Sequence, residues 1–357
     1  MIYINEKADL YSMTLSELEE FLKSIGEPKF RAKQITAWLV LGTPIEEMSN
    51  LSKSLREKLC EMTVDTLPKV REKLVSKIDG TVKYLFSLYD GAAIESVFMR
   101  YKHGNTLCIS SQVGCLMGCK FCASTIGGKV RNLRPSEMLG QIIAAQRDTG
   151  ERVSNIVMMG IGEPLDNYDN VIRFLELVNR EDGLNIGYRH ISLSTCGIVP
   201  KIKELASVEL PITLSISLHA STDDKRSEIM PINNKWKIAE LLSACVYYYK
   251  HTGRRISFEY TLIAGKNDSV SDAKSLAKLL TDAFSRTGAP LHVNLIRVNP
   301  VTETGFSEGS AESANLFAKT LTDMGVVATV RRRLGADVNA ACGQLRRNRE
   351  QGERGAC

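Results

Sequence analysis

Three cysteines fall within eight residues, as Cys115-Leu-Met-Gly-Cys119-Lys-Phe-Cys122. Thiolates are the ligands that iron–sulfur clusters require. A cubane [4Fe–4S] cluster has four irons and this run serves three of them, which leaves the last iron open to a further molecule. Incomplete ligation of that kind suits a cluster that does chemistry rather than one that only stores electrons. Two competing readings are a zinc site short of a ligand and three unrelated buried cysteines. The dense spacing speaks against the second.

The elements around this loop must come from a chain of 357 residues, enough for one large domain with an appendage, or for two domains. A hydrophobic content of 43% supplies an ample core, and 24% charged residues is ordinary for a water-soluble chain. No apolar run reaches membrane-spanning length, and the first residues lack a signal-peptide pattern, so a cytoplasmic protein is expected. In a reducing compartment nine cysteines serve as ligands, reactive thiols or buried apolar groups rather than a disulfide framework. The net charge of +5 is modest, but Arg331, Arg332, Arg333, Arg346, Arg347, Arg349 and Arg354 load the end of the chain. Clustered guanidinium groups suit phosphate contacts; a solvated basic tail is the plainer reading.

Thr14-Leu-Ser-Glu17 forms a capping box, and Leu15, Leu18, Leu22 and Ile25 follow at helical spacing until Gly26 and Pro28. Further helices are expected over Arg31–Val40 and Lys53–Met62. From Thr81 onward strands alternate with helices: two strands lead into the cysteine loop, and the segments ITLSISL, ISFEYTL and LHVNLIRV continue the pattern. Alternation of this length predicts a parallel sheet with helices outside. The cysteine loop, Gly162-Glu163, Ser194-Thr195, His219 and Asn299 all stand just after strands, where parallel α/β folds carry their sites.

The Cys-x3-Cys-x2-Cys spacing resembles the radical S-adenosylmethionine (radical SAM) superfamily. Six further segments resemble the RlmN/Cfr family of RNA adenine methyltransferases. They are GEPKFRAKQI at 26–35, TLCISSQVGC at 106–115, MGIGEP at 159–164, SLST at 192–195, SISLHA at 215–220 and NLIRVNP at 294–300. AACGQL at 340–345 completes the match. The resemblance covers nearly the whole chain. It implies a partial (β/α)6 barrel of the radical SAM type, an α/β fold, with a small N-terminal helical domain. The division expected is a helical RNA-binding module over 1–70, connecting strands over 71–100, the radical SAM core over 101–335, and a segment over 336–357 with a methyl-carrying cysteine and a basic tail. Val113-Gly114 and Glu163-Pro164 look like the branch that methylates carbon 2 of adenine. Arg297, Ser221 and Cys196 depart from the residues usual in that branch.

The implied chemistry explains the remaining thiols. Carbon 2 of adenine lies between two ring nitrogens and is electron-poor, so polar methyl transfer fails there and a radical is a sensible solution. By the resemblance, Cys115, Cys119 and Cys122 hold a [4Fe–4S] cluster, and S-adenosyl-L-methionine is the second cofactor. Gly162 and Glu163 would meet its amino group, and Ser194, Ser217, Leu218, His219 and Asn299 its ribose, carboxylate or adenine. Cys342 would take a methyl group and become covalently joined to RNA through it. Cys108 resembles the thiol that resolves the adduct through a transient disulfide, and Glu95 the base that removes the proton from the adenine carbon. Taken alone, Cys108 reads evenly as a reactive thiol or a small buried hydrophobe, whereas Glu95 reads rather as an exposed strand residue and His219 as a satisfied core histidine.

The function expected is methylation of carbon 2 of a specific adenine in 23S rRNA, at the peptidyl-transferase centre, and of an adenine in the anticodon loop of some tRNAs. The alternatives are a carbon-8 methyltransferase giving antibiotic resistance and a non-catalytic iron–sulfur RNA-binding protein. The expected partners are 23S rRNA, tRNA and a flavodoxin- or ferredoxin-type electron donor, and the chain is expected to act as a monomer.

Overall fold

The computed structural model describes residues 3–298, 305–338 and 345. A small hairpin, β1 (Tyr3–Ile4) and β2 (Lys7–Ala8), precedes three helices: α1 (Leu15–Ser24), α2 (Arg31–Val40) and α3 (Lys53–Met62). α1 starts where the capping box places it: Glu17 N–H donates to Thr14 Oγ1, and Thr14 N–H donates to the Glu17 carboxylate at 2.7 Å. The three helices bury Leu18, Leu22, Ile35, Leu55 and Leu59 in a core of their own.

The strands β3 (Lys69–Val75), β4 (Val82–Ser87) and β5 (Ala93–Met99) come next, followed by β6 (Thr106–Cys108). A short hairpin of β7 (Gln112–Gly114) and β8 (Lys129–Asn132) encloses the cysteine loop. Strands and helices then alternate: α4 (Pro135–Thr149), β9 (Asn155–Met158), α5 (Tyr168–Asn179), β10 (Ile191–Thr195), α6 (Val199–Ser207) and β11 (Thr213–Ser217). After α7 (Asp223–Ile229) and α8 (Ile238–Thr252) come β12 (Ile256–Leu262), α9 (Val270–Phe284), β13 (His292–Arg297), α10 (Ala311–Asp323) and β14 (Val327–Val330).

Ten of these strands form one sheet in the order β14-β13-β12-β11-β10-β9-β6-β5-β4-β3. The run from β6 to β14 is parallel, and β3, β4 and β5 are added to it antiparallel. The sheet curls without closing. β14 and β9 are five strand steps apart in the order, about 24 Å in a flat sheet. Yet Arg331, just past β14, reaches Met159, just past β9, at 3.7 Å. The chain beyond β14 also reaches the β3–β4 turn, where Gly335 N–H donates to Asp79 at 2.9 Å and Lys77 N–H to Asp337 at 2.8 Å.

The two faces of the curled sheet differ. Ile156, Leu193, Leu214, Ile216, Phe258, Val293 and Leu295 belong to the main core under the helices. The alternate positions are polar and line the inner face: Ser192 and Ser215 share a hydroxyl hydrogen bond, and Asn294 donates to Glu259 at 2.8 Å. The helical module docks on α4 through Asp9. Its fully buried carboxylate accepts from the hydroxyls of Ser12, Thr66 and Ser136, while burial raises its pKa. Among the described residues no helix is long and apolar enough to cross a membrane.

Candidate active site

The cysteine loop is clamped at its base. Gly114 pairs with Lys129 across the β7–β8 hairpin, and Cys115 N–H donates to Gly128 O at 3.1 Å. Gly114 has φ +79°, and a Cβ there would lie 1.9 Å from Gly128 O, so only glycine fits. Cys115 and Cys119 are buried and Cys122 is half-buried. Around them stand Cys196, Ile229, Met230, Ile263 and Val298, with Phe121 against the cluster. Burial and the neighbouring thiols raise both deeper cysteines, Cys115 to about 12. A cationic iron centre reverses that balance and holds thiolates outright. A lone metal ion needs its ligands to converge, and among the described residues no three such side chains do. A cubane takes each thiolate at a different iron, so this apolar, hinged triad fits the cluster.

Glu163 binds three loops together. Its carboxylate accepts from Leu165 N–H at 3.0 Å and Cys196 N–H at 2.7 Å, and its own N–H donates to Gln112 at 2.9 Å. Burial raises its pKa, and the first two bonds act against that rise without cancelling it. Gly162, at φ +110°, packs so tightly on Gln112 that a Cβ would lie 2.6 Å from its side chain. Gln112 also donates to Asn132 and Asp166, and Asp166 pairs with Lys129. One network thus joins the Gly162-Glu163 turn to the hairpin that carries the cysteines.

His219 follows β11 in the left-handed region, at φ +57°, a conformation costly for a non-glycine residue. Its Nδ1 accepts from Thr261 N–H at 2.9 Å, so in the neutral ring the proton sits on Nε2. Burial depresses its pKa to about 3, so it is neutral at ordinary pH. Its ring meets the edge of Phe121 from the cysteine loop, with centroids 4.9 Å apart. Ser194 and Ser217 are half-buried on the polar inner face. Leu218 is fully buried; its N–H donates to Glu259 O and its carbonyl accepts from Arg226.

Arg226, on α7, lies at 1% exposure. It donates to the carbonyls of Leu218, Cys196 and Ser217 and to Asn233 Oδ1. Nothing in the charged stretch DDKRSEI marks this arginine as internal. Cys196 and Ser221, which depart from the family pattern, are buried there; the Ser221 hydroxyl has no hydrogen-bond partner among the described residues, and Arg297 pairs with Glu308 at 3.1 Å.

Farther along the same inner face, Glu95 and Cys108 stand together. Val97 pairs with Cys108 across β5 and β6, and Glu95 is two residues from Val97. Glu95 is not an exposed strand residue. It is 1% exposed and forms an ion pair with the equally buried Lys83 at 3.2 Å. Cys108 packs with Val97, Met99, Met159 and Leu334; burial raises its pKa, and Arg331 acts to lower it. Arg331 therefore belongs to this wall, and Arg333 pairs with Glu308, so of the arginine triplet Arg332 alone is exposed without a described ion pair. Cys342, Asn299 and the arginines after 345 lie outside the described residues.

Two family models match the chain: the radical SAM superfamily over residues 109–280, and the ribosomal RNA large subunit methyltransferase N-terminal domain over residues 8–64. A probable dual-specificity RNA methyltransferase RlmN of Alkaliphilus oremlandii is 56% identical over 97% of this chain and 99% of its own length. The protein of the same description from Clostridium perfringens is 54% identical over 95% and 97%. The crystal structure of a radical SAM methyltransferase from Sphaerobacter thermophilus is 43% identical, with a TM-score of 0.89 over 94% of this chain and 98% of that one. Both helical module and curled sheet lie inside these matches, and the chain belongs to the RlmN family of radical SAM RNA methyltransferases.

Proposed function

We propose that this chain methylates carbon 2 of a specific adenine in 23S rRNA, and of an adenine in the anticodon loop of some tRNAs, by way of a methyl group carried on Cys342. The family's cofactors are a [4Fe–4S] cluster and S-adenosylmethionine. Cys115, Cys119 and Cys122 hold the first. Glu163, Gly162, Ser194, Ser217, Leu218, His219 and Asn299 surround the second, with Nε2–H of His219 available as a donor. When bound, the two supply the one-electron chemistry that activates a methyl C–H bond.

The single observation that supports the two-thiol reading is the shared wall of Glu95 and Cys108. Leu345 packs against Leu85 and Ala93 on that same wall. Cys342 is three residues before Leu345, a tether of at most about 11 Å. Glu95 accepts the proton from the adenine carbon. The Cys108 thiolate attacks the sulfur of Cys342: an S–S bond forms, the S–C bond breaks, and its electron pair leaves with the carbon, which takes a proton to become the methyl group. The helical module over 1–70 and the basic tail hold the RNA. A flavodoxin- or ferredoxin-type protein donates electrons, and the chain works as a monomer in the cytoplasm.

The test separates the thiols. Cys342→Ala accepts no methyl group and forms no adduct. Cys108→Ala still loads Cys342 but accumulates protein covalently joined to RNA, seen as a nuclease-sensitive shift on a denaturing gel. Normal turnover by Cys108→Ala would leave Cys108 a packing residue and end the two-thiol reading.

A further inference from the structure

β4 is buried along five of its six residues, and four of those five are what a buried strand requires: Val82, Tyr84, Leu85 and Phe86. The exception is Lys83, whose side chain is fully buried. Its Nζ lies 3.2 Å from Oε2 of Glu95, also fully buried. The register makes them diagonal neighbours on one face: Lys83 is opposite Val97, and Glu95 is opposite Leu85. Taking two such charges out of water is costly, and an apolar pair of similar volume is often as stable or more so. Stability alone therefore gives no reason for a lysine in the middle of this strand. Position does, because the face that holds the pair also holds Cys108 and receives Leu345.

We infer that Lys83 is the positioning residue for Glu95, fixing its carboxylate toward the substrate in a wall closed to water. The inference rests on the reading of Glu95 as the proton acceptor. In that step the C–H bond at the adenine carbon breaks, its electron pair stays in the ring system, and the proton forms an O–H bond with Glu95. A carboxylate can accept that proton only if it arrives ionised. In an apolar wall an uncompensated carboxylate takes up a proton from solvent instead. The ammonium at 3.2 Å and the two antiparallel strands fix the carboxylate's angle of approach. The other charged or titratable groups facing the pair are Glu72 on β3, opposite Leu85, Cys108 on β6, and Arg331 beyond β14, whose charge reaches Cys108.

The experiment uses full-length, cluster-loaded, methyl-charged protein with RNA in a single turnover across a pH series. Lys83→Met, Lys83→Arg and Glu95→Gln are compared with the parent for 5′-deoxyadenosine release, for the RNA adduct on a denaturing gel, and for release of methylated RNA. Expected for Lys83→Met is normal 5′-deoxyadenosine release and adduct formation, with product release slowed roughly tenfold or more at neutral pH. Its pH profile should move to higher pH, because a buried carboxylate without its cation holds a proton more tightly. Lys83→Arg should recover most of the rate and restore the profile. If Lys83→Met fails to fold, Lys83→Gln carries the same expectation with a polar side chain. Glu95→Gln stalling while both neutral Lys83 variants release product with the parent's rate and pH profile would overturn the role of Lys83 alone. Unimpaired release by Glu95→Gln would overturn the proton-acceptor reading and the Lys83 inference together.

Discussion

Replacing Arg226 with Met keeps most of the buried volume and removes every hydrogen bond the guanidinium makes. Three of its acceptors are backbone carbonyls, those of Cys196, Ser217 and Leu218, at 2.7, 3.1 and 3.1 Å. They lie just past β10 and at the end of β11, with no water to replace the lost donor at a residue only 1% exposed. A buried carbonyl left without its partner costs about 1–3 kcal/mol. Partial relaxation brings the three to roughly 3–5 kcal/mol in sum, the range seen when one member of a buried charged network is removed. At about 2–4 °C per kcal/mol, the melting temperature should fall by at least about 6 °C. The same carbonyls shape the turn before His219, so affinity for S-adenosylmethionine should fall as well. Thermal unfolding by circular dichroism and equilibrium dialysis, both without oxygen, read the two effects. An Arg226→Met protein that melts and binds like the parent would refute the assignment of Arg226 as the tie between the two strand ends.

Gly114→Ala should lose iron on reconstitution while keeping its far-ultraviolet spectrum, because its Cβ would overlap Gly128 O at the foot of the cysteine loop. The depressed pKa of His219, about 3 in the fold against a usual 6.5, means the folded state resists protonation there. Its stabilising contribution is full above pH 6.5 and is lost as pH falls below it toward 3, so acid unfolding should shift to lower pH in His219→Gln if that variant otherwise melts normally. Arg332→Gln should weaken RNA binding and flatten its dependence on salt by about one phosphate contact, with cofactor affinity unchanged; a salt-independent loss would contradict a phosphate role.

The strongest signals in the sequence were local ones. The capping box at Thr14 and Glu17 starts α1 at Leu15, and the apolar run ISFEYTL is β12 over the same residues. The cysteine spacing and the glycine before it place the loop and its hinge. β3 was missed because Lys69-Val-Arg-Glu-Lys-Leu-Val is an edge strand whose charges protect it and mask its period. α7 is not legible because five other charged or polar residues surround one inward arginine, with Ile229 its one apolar residue. Taken alone, Glu95 reads as exposed for a related reason. Alternation along β5 suggests a solvated face, but that face is the inside of a curled sheet, and curvature is a tertiary property that no strand reveals by itself. Lys83 did leave a trace, a lone cation within an apolar run, whose meaning needs the register with Glu95 to be read.

The central claim is the position and origin of the methyl group. The direct measurement is mass spectrometry of nucleosides from RNA treated with the reconstituted enzyme and S-adenosylmethionine, with the isomers of methyladenosine resolved chromatographically. The account predicts 2-methyladenosine, formed by the parent and absent with Cys119→Ala, which lacks a cluster ligand. Methylation at carbon 8, or undiminished 2-methyladenosine from the Cys119→Ala protein, would contradict it.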